Sequence, residues 1–361
     1  MSGSRGRWTI LALSGLLALG AAACSPSPSP HPAAPTTSSA PATESPRPIA
    51  TDTRELRFSA AGDFDSTAQT RKVLSAIGAR RDDLTLALGD LSYGRAGEEA
   101  QWCRLVTDRV TAAYPFELLA GNHESNGRNG DIRAFARCLP NRLPGLVGDY
   151  PRQWYVDLPA NEPLVRFVMI APAIEFPDGV ASYAVGTAEY SWTRNALQDA
   201  RAQGIPWTVV GMHTPCLSVG EYSCEPGRDL VDLLVSERVP LVLSGHEHGY
   251  QRTAQITSST RCPRLVLDAF EPACVADRDA DLALGAGTTF VTVGTGGRAL
   301  REVHRKDPEF RYFVVTSGSD EAPTWGSLAV TVRPDRLVAS FEPAQGHLRD
   351  AFVIDRSAPA Q

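Results

Sequence analysis

The sequence has no surplus of basic residues and no apolar run long enough to suggest several membrane spans. Its 35 lysines and arginines are outnumbered by 41 aspartates and glutamates, which gives a formal charge of −6. Because proteins held to nucleic acid by phosphate contacts normally carry a basic surplus, this balance argues against a nucleic-acid partner. The longest apolar run, around residues 9–23, is shorter than the roughly 18–20 residues that a spanning helix needs. A polytopic membrane protein is therefore excluded.

Three common functional motifs are also missing. No two cysteines have the C-x-x-C spacing of a zinc ribbon or a redox motif. The glycine-rich stretch at 294–297 is not followed by Gly-Lys-Ser/Thr, so it is not a Walker motif. No Gly-x-Ser-x-Gly elbow is present, so a serine nucleophile has little support. The residues that are present, 43% hydrophobic and 21% charged, are typical of a soluble globular protein.

Residues 1–24 are predicted to be an export signal. Two arginines precede the apolar stretch 9–23, and three alanines lead to Cys24, which is the pattern of a secretory signal peptide. The end of this stretch also resembles a bacterial lipobox, whose cysteine is lipid-modified, although Ala21 replaces the usual leucine. We expect an exported protein, either a bacterial surface lipoprotein or a secreted protein cleaved beside a chance cysteine. Membrane contact is expected only through this lipid anchor.

Residues 25–53 contain eight prolines and eleven serines or threonines among 29 positions, with Ile49 as the only large apolar side chain. Such a segment cannot bury enough apolar area to offset its ordering entropy. We predict a disordered tether that reaches on the order of 90 Å in extended polyproline geometry. The remainder, residues 54–361, has no linker-like break and no internal repeat, so we predict one large domain.

Six cysteines follow Cys24, and an even number in an oxidising compartment suggests three disulfides. Six cysteines allow fifteen pairings. We favour the sequential pairing, which closes two short loops. Its pairs are Cys103–Cys138, Cys216–Cys224 and Cys262–Cys274.

From Arg54 onward, short apolar runs alternate with segments of helical pattern, which indicates an α/β protein with mostly parallel strands. The predicted strands are 56–61, 84–88, 116–120, 207–210 and 240–243. The predicted helices lie near 67–78, 98–111, 187–203 and 228–237. Further runs without clear helices between them suggest additional mixed or antiparallel sheet, at 165–170, 289–293, 328–332 and 337–341.

The first five predicted strands each end in a turn with glycine followed by aspartate, asparagine or histidine. These turns are Gly62-Asp63, Gly89-Asp90-Leu91-Ser92-Tyr93, Gly121-Asn122-His123-Glu124, Gly211-Met212-His213 and Gly245-His246-Glu247-His248. One such turn alone usually caps a helix, and a lone histidine is usually structural. Five together, at the strand ends where open α/β sheets bind ligands, supply enough oxygen and imidazole donors for two metals that share one carboxylate. Two metals ~3.5–4 Å apart can clamp the attacking and leaving oxygens of a phosphoryl displacement.

In this order the motifs GD, GDxxY, GNHE, VxxH and GHxH resemble the purple acid phosphatase branch of the calcineurin-like metallophosphoesterases, over residues 54 to about 300. The resemblance implies a four-layer α/β/β/α sandwich of two mixed β-sheets flanked by helices. It also implies a binuclear metal centre of Fe(III) and a divalent Zn, Fe or Mn ion. The first metal would be bound by Asp63, Asp90, Tyr93 and His248, and the second by Asp90, Asn122, His213 and His246, with Asp90 bridging.

Tyr93 indicates which metal the first site would prefer. Its oxygen becomes a good ligand only as a phenolate, which favours Fe(III) over Zn(II) or Mg(II). In the family, charge transfer from phenolate to iron gives the purple colour. The alternative, in which Tyr93 is an aromatic ring packed under a loop, stays open.

The resemblance also assigns roles in catalysis. A metal-bound hydroxide at the centre bridged by Asp90 would be the nucleophile, and His123 would be the general acid that protonates the leaving group. Glu124 would orient His123 or a neighbouring ligand. Weaker arguments assign substrate contacts to Asn122, His123 and Arg252.

The sequence departs from the family pattern, or leaves it open, at four places. Asp65 stands where the first motif commonly has a second glycine, so it alters the turn or adds a carboxylate near the site. Residues 214–222 lack the substrate-facing histidines that often follow VxxH. Gly294–Gly297 is either a phosphate-binding turn or, as we favour, a tight bend that lets backbone approach the metal loops. Arg252 binds either phosphate or a carboxylate.

These observations predict an exported acid phosphatase with a binuclear metal centre that acts on small phosphate monoesters. Two alternatives stay open: a phosphodiesterase or nucleotidase of the same superfamily, and a non-catalytic surface lipoprotein that binds metal or phosphate. The presence of the acid His123 beside all seven predicted ligands argues against the non-catalytic alternative. The sequence indicates no oligomeric state.

Overall fold

Two mixed β-sheets face each other and carry helices on their outer sides. The computed structural model describes residues 54–356, which belong to one compact unit. The predicted signal peptide with Cys24 and the predicted tether lie outside the described residues. Within residues 54–356, no helix is both long and apolar enough to cross a membrane.

The described residues form nineteen strands and six α-helices. The strands are β1 (Leu56–Ala61), β2 (Leu84–Ala87), β3 (Phe116–Leu118), β4 (Val147–Asp149), β5 (Gln153–Leu158), β6 (Val165–Met169), β7 (Glu175–Phe176), β8 (Gly179–Val180), β9 (Trp207–Gly211), β10 (Leu241–Ser244), β11 (Tyr250–Thr253), β12 (Gln255–Ile256), β13 (Val275–Asp277), β14 (Asp281–Ala283), β15 (Thr289–Val293), β16 (Phe313–Ser317), β17 (Trp325–Val332), β18 (Arg336–Gln345) and β19 (Ala351–Asp355). The α-helices are α1 (Ala68–Arg80), α2 (Glu99–Val110), α3 (Asn122–Ser125), α4 (Ile132–Cys138), α5 (Ala188–Ala202) and α6 (Arg228–Ser236). Short 3₁₀ turns lie at Pro272–Cys274 and Phe310–Tyr312.

Each large sheet combines a run of parallel strands with antiparallel neighbours. The first has the order β14-β19-β18-β17-β1-β2-β3, in which β1, β2 and β3 are parallel and β17 pairs with β1 antiparallel. The second has the order β16-β11-β15-β10-β9-β6-β5-β4, in which β15, β10, β9 and β6 are parallel. Helices α1, α2, α5 and α6 connect parallel strands. The predicted fold, two mixed sheets flanked by helices, is confirmed.

Side-chain alternation on β6 divides its apolar residues between two cores. Phe167 belongs to the cluster between the sheets, where its ring meets that of Phe58 on β1 edge to face, with centroids 4.9 Å apart. The next residue, Val168, belongs to a second cluster that includes Leu197 of α5 and Leu234 of α6. Successive residues on a strand face opposite sides, so a strand covered on both faces is mostly apolar. The exception on β6 is the buried Arg166, whose guanidinium pairs with Asp157 and Asp199. The two sheets are held together by the apolar packing between them, and with them the strand ends that carry the polar turns.

All predicted strands and helices are present, with ends displaced by a few residues, but four strands of the second sheet, β4, β5, β11 and β16, were not predicted, and two of them are informative. One is β5, whose alternating burial is a pattern visible in sequence. The other is β11, where Arg252 is buried because its guanidinium pairs with Asp350. Since that partner lies about a hundred residues away, periodicity does not reveal the burial.

Three disulfides join the six cysteines of the described chain. They are Cys103–Cys138, Cys216–Cys224 and Cys262–Cys274. The predicted sequential pairing is confirmed. The first disulfide links α2 to α4 beneath the first sheet, and the other two close short loops that pack on the second sheet.

The three disulfides are expected to contribute unequally to stability. In the chain-entropy model, a cross-link spanning 35 residues, as in Cys103–Cys138, stabilises by about 4 kcal/mol. One spanning 8 residues, as in Cys216–Cys224, stabilises by about 2.5 kcal/mol. The double variants Cys103→Ala/Cys138→Ala and Cys216→Ala/Cys224→Ala, compared by urea unfolding, should differ in that order. Equal losses, or free thiols found by non-reducing mass spectrometry of the wild-type protein, would contradict this prediction.

Candidate metal centre

The five polar turns converge where the carboxyl ends of the parallel strands of both sheets meet. Turns after β1, β2 and β3 of the first sheet carry the oxygen donors, and turns after β9 and β10 of the second carry the imidazoles. All seven side chains predicted as ligands meet here: Asp63, Asp90, Tyr93, Asn122, His213, His246 and His248. Their role as ligands stays a prediction, but the convergence on which it depends is present.

The backbone of these turns has conformations that residues other than glycine seldom adopt. Four residues have left-handed φ values, namely Asp63 at 59°, Asp90 at 53°, Tyr93 at 51° and His246 at 68°. Each such residue costs on the order of 1–3 kcal/mol and persists only where the surrounding structure imposes it. Gly121 explains one close approach, because a Cβ at this position would collide with Asp90 Oδ1. The turns are therefore shaped to bring these side chains together at the expense of local strain.

One group of donors gathers around the phenol oxygen of Tyr93. Tyr93 Oη lies 3.0 Å from Asp63 Oδ1, 2.8 Å from Asp90 Oδ2 and 3.1 Å from His248 Nε2. His248 Nε2 is in turn 3.5 Å from Asp63 Oδ1. These four residues are the set predicted to bind the first metal. The alternative in which Tyr93 merely packs under a loop does not describe this geometry, since its oxygen points into the donor cluster.

A second group gathers around His213 Nε2. That atom lies 3.2 Å from Asp90 Oδ1, 3.1 Å from Asn122 Oδ1 and 3.2 Å from His246 Nδ1. Donor atoms of Asp90, His213 and His246 all lie within 4.8 Å of one another, close enough to hold one ion. Asp90 therefore presents Oδ2 to the first group and Oδ1 to the second, as a bridging carboxylate would.

Backbone carbonyls orient two of the imidazoles. His213 Nδ1 lies 2.7 Å from Leu88 O, and His248 Nδ1 lies 2.9 Å from Ala299 O. Because a carbonyl oxygen can only accept, each Nδ1 carries a proton and each Nε2 faces the cluster. This arrangement, in which the far ring nitrogen is fixed by a hydrogen bond, is usual for metal-binding histidines.

Without a cation, the buried carboxylates at the centre depend on His213, because the charge of Asp90 outweighs burial and raises the pKa of His213 to about 10. Asp63 and Asp90 are both fully buried, and in the described part of the chain their ion-pair partners are histidines, not lysine or arginine. Burial raises the pKa of Asp63 to about 7. Burial also acts to raise the pKa of Asp90, but the neighbouring His213 outweighs it and holds that pKa well below its usual range. A buried site in which two carboxylates lie so close together suits a bound cation.

The remaining donors fit the same occupant. Burial, with the charge of Arg301 adding to it, lowers the pKa of His248 to about 3, and burial lowers the pKa of His246. A lowered pKa favours the neutral imidazole, the form whose lone pair can bind a metal. Burial and the two carboxylates raise the pKa of Tyr93 far above its usual value, so its proton leaves only if a strongly acidic cation replaces it. The donor set, carboxylate, phenol, amide and imidazole, suits a transition metal.

His123 stands beside the donor cluster. Its Nε2 lies 3.6 Å from Asp90 Oδ2, its side chain is 26% exposed, and its ring packs on Tyr93. On the far side, His123 Nδ1 lies 2.6 Å from Asn129 Oδ1. The Asn129 amide donates to the carbonyls of Tyr93 and Gly94, so its oxygen accepts from His123 Nδ1–H. Asn129 lies in a glycine- and asparagine-rich loop, and no sequence motif singled it out.

Glu124 supports Asp90 and not His123. Its carboxylate accepts hydrogen bonds from the backbone N–H groups of Gly121, Asp90 and Leu91, at 2.7, 3.0 and 3.1 Å. Of the two roles predicted for Glu124, orienting a neighbouring ligand is the one present. Three hydrogen bonds to one buried carboxylate tie the turn after β2 to the turn after β3.

The departure at Asp65 is compensated by a second charged residue. Asp65 forms an ion pair with Arg298, whose guanidinium carbon lies 4.3 Å from the centre of the Tyr93 ring. Asp65 therefore adds a carboxylate near the site, which was one of the two expectations. It also holds Arg298 over the ring of the predicted ligand Tyr93.

Gly294–Gly297 forms a tight bend whose N–H groups are used by the protein itself. Gly294 N donates to Gly249 O and Gly296 N to Gly62 O, and a Cβ at Gly294 would lie 2.9 Å from Asp63 Oδ2. The favoured interpretation, close backbone approach to the metal loops, describes this geometry.

Arg252 contacts a carboxylate, which corrects its weak assignment to substrate. Its Nε and Nη2 donate to Asp350 at 2.7 and 2.8 Å, and Tyr250 Oη donates to the same carboxylate. The side chain is buried on β11. A buried guanidinium whose fork is already occupied by a carboxylate is not open to a phosphate.

The chain is similar in sequence to known phosphoesterases. Residues 50–250 match the family model described as Calcineurin-like phosphoesterase. The Fe(3+)-Zn(2+) purple acid phosphatase 12 of Arabidopsis thaliana is 24% identical over 278 residues, which cover 71% of this chain and 54% of that protein. A purple acid phosphatase of Glycine max is 25% identical over 256 residues, which cover 66% of this chain and 50% of that protein. The chain spans about half the length of the curated relatives it matches.

Among solved structures, a purple acid phosphatase from yellow lupin (Lupinus luteus) seeds has the same fold. It aligns with a TM-score of 0.60 at 18% sequence identity, over 84% of this chain and 54% of that one. The matched family region covers more than half of the sequence and contains all five polar turns. The chain belongs to the calcineurin-like phosphoesterase family, and its similarities are to the purple acid phosphatases within it.

Proposed function

We propose that the protein hydrolyses phosphate monoesters, with two metal ions held side by side by the seven convergent donors. The observation that carries this proposal is the position of Asp90, whose two carboxylate oxygens face two separate groups of donors. A site for one ion would need only one of these groups. Membership of a phosphoesterase family supports hydrolysis of a phosphate ester, and similarity to purple acid phosphatases supports the monoester.

Asp63, Tyr93 and His248 would hold one ion, and Asn122, His213 and His246 the other, with Asp90 between them. Bound at this position, the ions would supply positive charge for the phosphoryl oxygens and acidity for the attacking water. The protein's own contribution is to fix the donors before substrate arrives, through the carbonyls of Leu88 and Ala299. Preorganised donors need no rearrangement during the reaction.

His123 would act as the general acid. Its Nδ1–H is held by Asn129, so Nε2 is the nitrogen that faces the cluster and can deliver a proton to the leaving oxygen. The partial exposure of the side chain leaves room for a substrate beside it.

Fe(III) is the ion we propose for the Tyr93 group, with Zn, Fe or Mn as its divalent neighbour. The phenol oxygen lies within 3.0 Å of two buried carboxylates, a place where a phenolate would be strongly disfavoured unless a trivalent cation balanced it. We further propose that the protein acts after export, which its three disulfides support.

The ester class is tested with p-nitrophenyl phosphate and bis(p-nitrophenyl) phosphate. The kcat/KM of a monoesterase should be at least tenfold higher for p-nitrophenyl phosphate than for bis(p-nitrophenyl) phosphate. The reverse preference would replace the monoesterase by a phosphodiesterase of the same family. No hydrolysis of either ester by metal-loaded protein would remove the enzymatic proposal.

Asp90→Ala and His246→Ala should each abolish activity and lower the metal content, because each removes a donor that the others cannot replace. Metal per chain is measured by elemental analysis. Asp82→Ala is the matched control, since it removes a buried carboxylate that pairs with Arg80 away from the cluster. Full activity with full metal content in either site variant would refute the ligand assignment.

His123→Ala should retain its metal but lose roughly 10²–10⁴-fold in kcat, the usual contribution of a positioned acid. The loss should be larger for an alkyl phosphate such as glycerol phosphate than for p-nitrophenyl phosphate, whose leaving group needs less help from a proton. His347→Ala, at an exposed histidine, should behave as the wild type. An unchanged rate on both esters would remove His123 from the mechanism.

Tyr93→Phe should abolish the visible absorption band of the iron-loaded protein while the far-ultraviolet circular dichroism stays unchanged. The reason is that the band would arise from charge transfer between phenolate and iron. Tyr114→Phe, at a tyrosine that bonds to Thr85 outside the cluster, should keep the colour. A colourless wild type with two zinc ions per chain would contradict the iron assignment.

A further inference from the structure

One disulfide-closed segment covers the outer face of His246. We call residues 216–225 the cap loop; the Cys216–Cys224 disulfide closes it. The ring of Tyr222 stacks on the imidazole of His246, with centroids 4.0 Å apart and planes inclined by 28°. Glu225 Oε2 lies 3.2 Å from His246 Nε2. The cap loop thus contacts both the face of the ring and the nitrogen that points away from the donor cluster.

The cap loop is anchored to the turn that carries His246. Glu247, the next residue, is buried, and its Oε1 accepts hydrogen bonds from Ser218 Oγ at 2.9 Å and from Tyr222 N at 2.7 Å. Val219 N donates to Gln251 Oε1 at the start of β11. These hydrogen bonds connect the cap loop directly to the turn that carries His246 and to the strand that follows it.

Arg301 fixes the same turn from the other side. Its Nη1 donates to His246 O at 3.0 Å, and its guanidinium faces the Tyr222 ring at 5.0 Å. Its Nε lies 3.2 Å from Glu221 on the exposed rim of the cap loop. Arg301 thus contacts the backbone of His246, the ring of Tyr222 and the rim of the cap loop. The tautomer of the His246 ring is left for Glu225 to determine.

The two nitrogens of His246 have different surroundings. Nδ1 faces His213 Nε2 at 3.2 Å within the donor cluster, whereas Nε2 is buried and makes no aligned hydrogen bond within the described residues. Within residues 54–356, no backbone carbonyl accepts from the outer nitrogen, in contrast to His213 and His248. The Glu225 carboxylate is the group placed where that carbonyl would be.

We propose that Glu225 is a positioning residue for the metal centre, acting through His246. It accepts the proton of His246 Nε2, so the lone pair of Nδ1 is directed at the ion, and its negative charge strengthens that nitrogen as a donor. The proposal rests on the proposed function only in requiring a metal ion at Asp90, His213 and His246. It also assigns a purpose to the segment that lacks the histidines expected after VxxH: in this chain it supports a ligand.

The test is metal retention by the full exported chain, as purified, during titration with EDTA. Glu225→Gln keeps the size of the side chain and removes its charge. Loss of such an outer partner typically weakens metal binding 10–100-fold, so one of the two ions should leave Glu225→Gln at a 10–100-fold lower EDTA concentration. Glu225→Asp, which keeps the charge on a shorter side chain, should recover part of the difference. The thermal midpoint of the metal-free protein should be the same for all three.

Glu221→Gln is the matched control, because it neutralises a carboxylate of the same loop that faces Arg301 and not His246. It should retain metal as the wild type does. Wild-type retention in Glu225→Gln would overturn the proposal. So would an equal loss of metal-free stability in both Gln variants, which would show a role in loop packing alone. A wild-type chain that binds no metal would overturn the proposed function as well as the role of Glu225, and the wild-type protein alone gives this result.

Discussion

The carboxylate of Asp90 is the constraint around which the site is built. It is buried between the strand ends of two sheets with no lysine or arginine as an ion-pair partner in the described chain, and a buried charge without compensation is costly. His213 and Tyr93 supply part of the compensation. Under the proposed function, bound cations would supply the rest.

Holding that carboxylate in place requires support that extends well beyond the donors. The sheets fix the strand ends through apolar packing between β1 and β6, and Glu124 ties two of the turns to each other with three hydrogen bonds. Strained φ values at four donor positions show that packing, and not local preference, sets the final geometry. Stability elsewhere in the fold thus maintains an arrangement that the turns would not adopt alone.

Two further groups of contacts surround the donors. Asp65 and Arg298 form a pair over Tyr93, and the cap loop surrounds His246 with a tyrosine and a carboxylate. Both lie where the sequence departs from the motif pattern of the family. Family likeness therefore accounts for the fold, while these two groups of contacts lie where the family motifs do not specify the residues, and under the proposed function they would tune how tightly the ions are held.

The sequence by itself determined the α/β alternation, the positions of the five turns and the seven candidate donors, because hydrophobic periodicity and motif spacing are local properties. It could not distinguish a phosphate from a carboxylate as the partner of Arg252, nor find Asn129 or Glu225. Those contacts join residues that are close only after two sheets pack face to face. Tertiary structure alone decided these contacts. The burial of a charged or polar side chain, and its distance from residues of remote segments, determine which partner it binds.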